Sequence, residues 1–178
     1  MRFDEQGWAM GAIEPLSIER AYALLSPEPE ARIDAARWQH QAQTFFQASL
    51  SLVTEKRYPA GTLPLADAAI VDIGHRSLPS STQVTIVTMP LDRAPAVLRA
   101  AEQGVVAIGG AGFDALLRRA RRLWQVEVPA GASIDAAAPL AVAAILASLL
   151  LAPVLPPGGG TIFGVKGARE RLAAAGWR

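Results

Sequence analysis

The chain has 178 residues, of which 51% are apolar and 19% are charged, and this composition excludes a disordered protein. Its 17 basic and 16 acidic side chains leave a net charge of +1, so we expect no nucleic-acid partner. Because the chain has no cysteine, it has no disulfide, no thiolate nucleophile and no cysteine-ligated metal site. The length predicts a single α/β domain over residues 1–178.

The N-terminal segment, residues 1–60, is predicted to be mainly helical. Apolar side chains recur at helical spacing over residues 15–25, and again over residues 31–56, where Trp38 and Phe45 contribute to an aromatic face. The first residues lack the basic and apolar regions of a secretory signal, so we expect a cytoplasmic protein.

Residues 65–178 are predicted to form an α/β core. The β-branched runs at 68–73 and 84–88 are joined by a loop too short for a parallel crossover. These runs therefore form an antiparallel hairpin, or the first of them is not a strand.

From Val84 onward the sequence predicts strands that alternate with helices. The predicted strands cover residues 84–88, 105–108, 124–128 and 161–165, and the predicted helices cover residues 92–103, 113–122, 140–151 and 168–175. Apolar strands that alternate with helices are typical of parallel sheets covered on both faces. The sequence therefore predicts an α/β fold with a largely parallel, doubly wound sheet and a helical N-terminal segment.

One stretch has the hydropathy of a membrane segment. Residues 136–165 include no charged side chain, and residues 140–151 are almost entirely Ala, Val, Ile and Leu. Pro139 and Pro153 bracket a segment shorter than the roughly 20 residues that a membrane-spanning helix needs. The pattern favours a buried core helix, and a membrane partner is not expected.

The loop over residues 74–82 is the first candidate site. In open parallel sheets, ligands bind at the loops that follow the strands. This loop offers hydrogen-bond donors suited to a phosphate or carboxylate, namely His75, Arg76, Ser77, Ser80, Ser81 and Thr82. His75 is the one credible acid–base group, because imidazole titrates near neutral pH. The alternative is a solvated turn held by its own hydroxyl groups.

A glycine-rich segment is the second candidate site. Gly110, Gly112 and Ala115 match G-x-G-x-x-A between a predicted strand and a predicted helix, and Gly109 precedes them. Such glycines let a backbone approach a phosphate at a helix N-terminus. Glu127, at the position of a ribose-binding acid, comes about one helical turn too early. A tight turn that only packs closely is the alternative.

Other polar features are weaker signals. The run 158–161, with Lys166 and Arg169 nearby, fits either an anion-holding turn or a flexible connector. Four arginines close together predict a solvated basic face: Arg118, Arg119, Arg121 and Arg122. With only His40 and His75, a multi-histidine metal site is excluded, and no metal is expected.

Residues 85–151 resemble the second half of a sugar-isomerase (SIS) domain. The order is strand, helix, strand, helix and strand, after which Pro129-Ala130-Gly131 leads into an apolar helix. The resemblance implies a phosphosugar ligand and a dimer or other homo-oligomer. The family's hydroxyl-rich phosphate loop follows a strand, whereas here Thr88 is followed by Met89 and Pro90. No catalytic residue carries over, so the resemblance implies a non-catalytic relative.

The functional expectation is a binding module for a phosphorylated or otherwise anionic small metabolite. It would use the loop 74–82 together with Gly109, Gly110 and Gly112 across a cleft. A nucleotide- or dinucleotide-dependent enzyme is one alternative, and a structural subunit of a larger assembly is another. No cofactor is identified by the sequence, and it does not decide whether a reaction is catalysed.

Overall fold

A computed structural model describes residues 1–56, 61 and 66–178. Its strands are β1 (Arg2–Phe3), β2 (Ala9–Met10), β3 (Ala21–Ser26), β4 (Ser49–Ser51), β5 (Asp67–Gly74), β6 (Thr82–Pro90), β7 (Arg122–Glu127) and β8 (Val154–Leu155). Its helices are α1 (Ala35–Phe46), α2 (Pro95–Ala107), α3 (Phe113–Arg119), α4 (Ala137–Leu150) and α5 (Val165–Ala174).

The central sheet has six strands in the order β4-β5-β6-β7-β3-β8. Every neighbouring pair in it is antiparallel. The prediction of a largely parallel, doubly wound sheet is therefore wrong. Strands β1 and β2 form a separate antiparallel pair.

The first reason for the error lies in the segment 105–108, which is not a strand. Helix α2 continues through it, and its buried residues recur at helical spacing: Val97, Ala101, Gly104 and Val105. Val106 is 79% exposed, as expected on the outer side of a helix. Because α2 and α3 follow each other directly, the chain returns to the end of the sheet that it left. Pro90 therefore pairs with Arg122, and β7 runs antiparallel to β6.

The second reason is that residues 21–26 form a strand. A predicted helix over 15–25 is replaced by a short 3-10 turn, Ile18–Arg20, and by β3. All six residues of β3 are buried, and a continuous apolar run does not by itself distinguish a strand from a helix. Strand β3 inserts between β7 and β8 and is antiparallel to both.

The helical content of the N-terminal segment is correspondingly smaller than predicted. The helix expected over 31–56 is confined to α1, which ends at Phe46, and Gln47 takes a left-handed conformation with φ of 54°. The chain then forms β4, which pairs with β5. The prediction of a mainly helical N-terminal segment is therefore wrong, and α1 is the one part of it that forms an α-helix in the described residues.

The hairpin alternative for the first two β-branched runs is confirmed. Strands β5 and β6 pair in antiparallel register, with Ile73 opposite Thr82 and Asp67 opposite Thr88. The loop between them carries His75, so this side chain lies at one end of the sheet.

Helices cover both faces of the sheet. Side chains alternate along β7, where Trp124 and Val126 join the core cluster beneath α1, α4 and α5. Leu123 joins the other cluster, beneath α2 and α3. Such alternation is the ordinary consequence of the two-residue repeat of a strand.

Helix α4 is the most deeply buried element. Every residue from Ala138 to Ala147 is buried, which confirms the predicted core helix. It packs on β3, β6 and β7 and against α1 and α5. None of the helices in the described ranges is long and apolar enough to cross a membrane.

Arg122 does not belong to a solvated basic face. Its side chain is 1% exposed at the start of β7. The Nε group donates to Thr88 Oγ1 at 2.9 Å, and Nη1 donates to the Pro29 carbonyl at 3.2 Å. Arg118, Arg119 and Arg121 are exposed, as predicted.

The burial of α4 predicts a large effect of truncation there. We expect Leu146→Ala to lower the free energy of unfolding by about 2–5 kcal/mol, because Leu146 is 0% exposed and its loss leaves a cavity. Equilibrium urea denaturation measures this change. The matched control is Val106→Ala on the exposed side of α2, which should change stability by less than about 0.5 kcal/mol. Equal effects of the two substitutions would contradict the central role of α4.

Candidate functional site

A cavity of about 220 Å³ lies between the β5–β6 turn and α5. The end of α1 and the residues that follow α5 complete its walls. Its aromatic and cationic lining consists of Phe45, Phe46, His75, Arg76, Arg169, Trp177 and Arg178.

The imidazole of His75 is held on two sides. Its ring stacks on the indole of Trp177 with centroids 3.8 Å apart and an interplanar angle of 10°. Its Nδ1 accepts a hydrogen bond from the Ser77 backbone N–H at 3.0 Å. In the neutral ring the proton therefore lies on Nε2, which leaves that nitrogen as a donor.

The charge of His75 is controlled by its surroundings. Burial lowers the pKa of His75 below its usual 6.5, and the adjacent Arg76 guanidinium lowers this pKa further. The neutral imidazole is thus the dominant form near pH 7.

Arg169 of α5 is oriented by the end of α1. Its Nη1 donates to the Phe45 carbonyl at 3.2 Å. Its guanidinium lies 4.3 Å from the centroid of the Phe46 ring, within the range of a cation–π interaction. These two contacts hold the cation at the rim of the cavity.

The segment after α5 is tied to the β5–β6 turn and to α1. Arg76 Nε donates to the Arg178 backbone oxygen at 2.5 Å, and the Arg178 backbone N–H donates to Ser77 Oγ at 2.9 Å. Trp177 Nε1 donates to the Phe46 carbonyl at 3.3 Å. The aromatic wall is therefore fixed from both sides.

The charged side chains in the described lining of the cavity are all cationic. Three arginines border the cavity, and none of the described residues that line it is acidic. A group of cations without a nearby acidic side chain favours an anionic ligand, especially one with oxygens that accept from guanidinium groups.

Three of the predicted hydroxyl residues of the same turn lie outside this cavity. Ser77 contacts Arg178 beside the cavity, but Ser80, Ser81 and Thr82 do not line it. Thr82 Oγ1 donates to the Ser80 carbonyl at 3.4 Å within the turn itself. Of the predicted loop, His75 and Arg76 are the side chains in the cavity lining.

The glycine-rich segment lies elsewhere. Gly109, Gly110 and Gly112 connect α2 to α3, on the opposite face of the sheet from α5, and all three have positive φ. The Gly109 and Gly110 N–H groups donate to the carbonyls of Val106 and Val105 and so end α2. The structure does not bring these glycines to His75, and the segment follows a helix rather than the strand that a dinucleotide motif requires.

The cavity residues that the sequence did not identify as site residues include Phe46, Arg169, Trp177 and Arg178. Phe46 is the last residue of α1, and Trp177 follows α5, far along the chain from His75. No local sequence pattern predicts that Phe46 and Trp177 lie beside His75, because their proximity depends on how α1 and α5 pack on α4. Arg169 was noted only as a cation near the run 158–161.

No family model matches the chain, and neither a curated protein nor a solved structure gives a significant match. The resemblance of residues 85–151 to SIS domains therefore stays a prediction. Within the part of the chain that the structure describes, no group of three or more His, Asp or Glu side chains could hold a metal ion.

The pKa of His75 predicts a pH dependence of stability. Since the folded state favours the neutral imidazole, the contribution of His75 to the free energy of unfolding is fully present above the usual pKa of 6.5. It is lost as the pH falls through the lowered pKa.

We expect Arg76→Gln to raise the pKa of His75, because it removes the neighbouring cation. An NMR titration of the His75 ring protons measures the change.

Arg99→Gln is the matched control for this titration, because it removes an exposed guanidinium from α2 on the other face of the sheet. It should leave the His75 titration unchanged. An unaltered pKa in Arg76→Gln would show that Arg76 does not influence the imidazole.

Proposed function

We propose that the protein binds a small anionic metabolite, with a phosphosugar as the leading class, in the cavity between the β5–β6 turn and α5. The observation that supports this most strongly is the lining itself. Three arginines and a neutral histidine border an aromatic cavity whose described lining includes no acidic side chain. Catalysis is not part of the proposal.

Different side chains of the cavity contact the anionic and the uncharged parts of the ligand. Arg76 and Arg169 carry planar guanidinium groups, which bind phosphate or carboxylate oxygens with paired hydrogen bonds. The His75 Nε2–H group supplies a further donor that adds no charge. Trp177 and Phe45 offer apolar surface for the uncharged part of a ligand.

The cavity size favours a small ligand. At about 220 Å³ it is smaller than the roughly 300–1,000 Å³ that drug-sized ligands occupy. A dinucleotide would extend well beyond it, and the Gly109 and Gly110 N–H groups are already engaged in ending α2. A dinucleotide-dependent enzyme is therefore the weaker proposal. The cytoplasmic location and the homo-oligomer stay predictions.

Calorimetric titration with glucose 6-phosphate, inorganic phosphate and glucose tests the proposal. We expect glucose 6-phosphate to bind most tightly and glucose not to bind, because the guanidinium groups require an anion. Arg76→Gln and Arg169→Gln should each weaken binding roughly tenfold or more, the usual effect of losing a charge-assisted hydrogen bond. Rising salt should weaken binding as well.

Arg99→Gln again serves as the control, since it lowers the net charge equally while leaving the cavity intact. Urea denaturation of each variant separates a loss of binding from a loss of folding. If none of the three probes binds the folded wild-type protein, or if Arg99→Gln weakens binding as much as Arg169→Gln, the proposed site is wrong. A large assembly in light scattering together with no binding would favour the structural subunit.

A further inference from the structure

A second cavity, of about 330 Å³, lies on the other side of α5. Its apolar walls come from Leu140 of α4, Pro156, Phe163 and Ala174. Three polar side chains also line it, namely Tyr22, Asp135 and Arg171. The cavity therefore combines an apolar body with one anion and one cation.

The two charges face the cavity without neutralising each other. Asp135 and Arg171 form no ion pair with one another, and neither side chain makes a hydrogen bond or salt bridge to another described residue. Both nevertheless lie close enough to Tyr22 to influence its ionisation in opposite directions. Each charge thus remains available to a ligand.

The guanidinium of Arg171 is held in place. It lies 4.3 Å from the centroid of the Phe163 ring, which forms part of the apolar wall. Arg171 and Arg169 are two residues apart on α5, and this spacing turns them about 200° from each other. One guanidinium therefore serves each cavity, so the second cavity is separate from the proposed anion site.

Tyr22 supplies a neutral acceptor. Its hydroxyl donates to the Ile134 carbonyl at 3.2 Å. Burial, and to a lesser extent Asp135, raises the pKa of Tyr22 to about 12, although Arg171 opposes this. The phenol stays protonated at neutral pH, and its oxygen can still accept a hydrogen bond.

We propose that this second cavity binds a zwitterion, specifically an α-amino acid with an apolar side chain. Arg171 binds the carboxylate, Asp135 and the Tyr22 hydroxyl oxygen accept from the ammonium group, and Leu140 and Phe163 contact the side chain. Asp135 and Arg171 are both exposed at the rim of the cavity, so a ligand with one charge makes only one of the two charge-assisted contacts. The proposal does not rest on the anion site.

The test uses L-leucine and two analogues that each lack one charge. 4-Methylpentanoate lacks the ammonium group, and isopentylamine lacks the carboxylate. NMR titration of the isotope-labelled protein should show shifts at Tyr22, Leu140 and Ala174 with leucine, while His75 stays unchanged. Each analogue should bind roughly tenfold more weakly or worse than leucine, since each loses a charge-assisted contact.

Two variants assign the roles. Asp135→Asn should weaken leucine binding roughly tenfold and abolish the preference for leucine over 4-methylpentanoate. Arg171→Gln should weaken it similarly and abolish the preference over isopentylamine. The control is Glu170→Gln on the same helix, whose carboxylate lies 3.8 Å from Lys166 Nζ and does not line the cavity. It should leave leucine affinity within about twofold, because Glu170 does not contact a ligand in the cavity.

The outcomes that overturn the proposal are distinct from those for the anion site. No leucine binding, equal binding of an analogue, or unchanged affinity in Asp135→Asn and Arg171→Gln would each refute it. Because the probes and the responding residues differ between the cavities, failure here leaves the phosphosugar titration to be judged separately.

Discussion

The burial of α4 is the constraint on which the remaining structure depends. A helix that is apolar on every side gains stability only when it is covered on every side, because exposed apolar surface is unfavourable in water. The strands β3, β6 and β7 cover one side of α4, and α1 and α5 flank it. The positions of α1 and α5 are thus consequences of core packing.

Both cavities follow from that arrangement. Helix α5 packs on α4 through Ala168 and Leu172, so its other residues face outward along the flanks of the helix. Arg169 then meets the end of α1, while Arg171 meets Phe163 on the other flank. A single helix separates two pockets of different charge, and its orientation sets the chemistry of each.

Whether neighbouring strands run parallel or antiparallel depends on two segments whose sequence patterns fit a strand or a helix. An apolar run such as residues 105–108 fits a strand or the last turn of a helix equally well, and so does the run in β3. Once α2 and α3 pair as consecutive helices, β7 must start at the end where β6 finishes. Once β3 enters between β7 and β8, all neighbouring strands become antiparallel.

The burial of a polar residue is likewise not predicted by the sequence around it. Arg122 follows three exposed arginines, and a cluster of four arginines in the sequence predicts a basic surface. In the fold it opens β7, where Thr88 and Pro29 accept its hydrogen bonds. These partners lie far away in the sequence, so its burial depends on strand pairing.

The sequence by itself determined the features whose signals are local. The apolar segment between two prolines identified α4, the short loop identified the β5–β6 hairpin as one of two alternatives, and the pair His75 and Arg76 marked a polar turn. The tertiary structure alone decided strand direction, the burial of Arg122 and the meeting of His75 with Arg169 and Trp177. The physical reason is that periodicity reports which side of an element is buried, whereas long-range packing selects its neighbour.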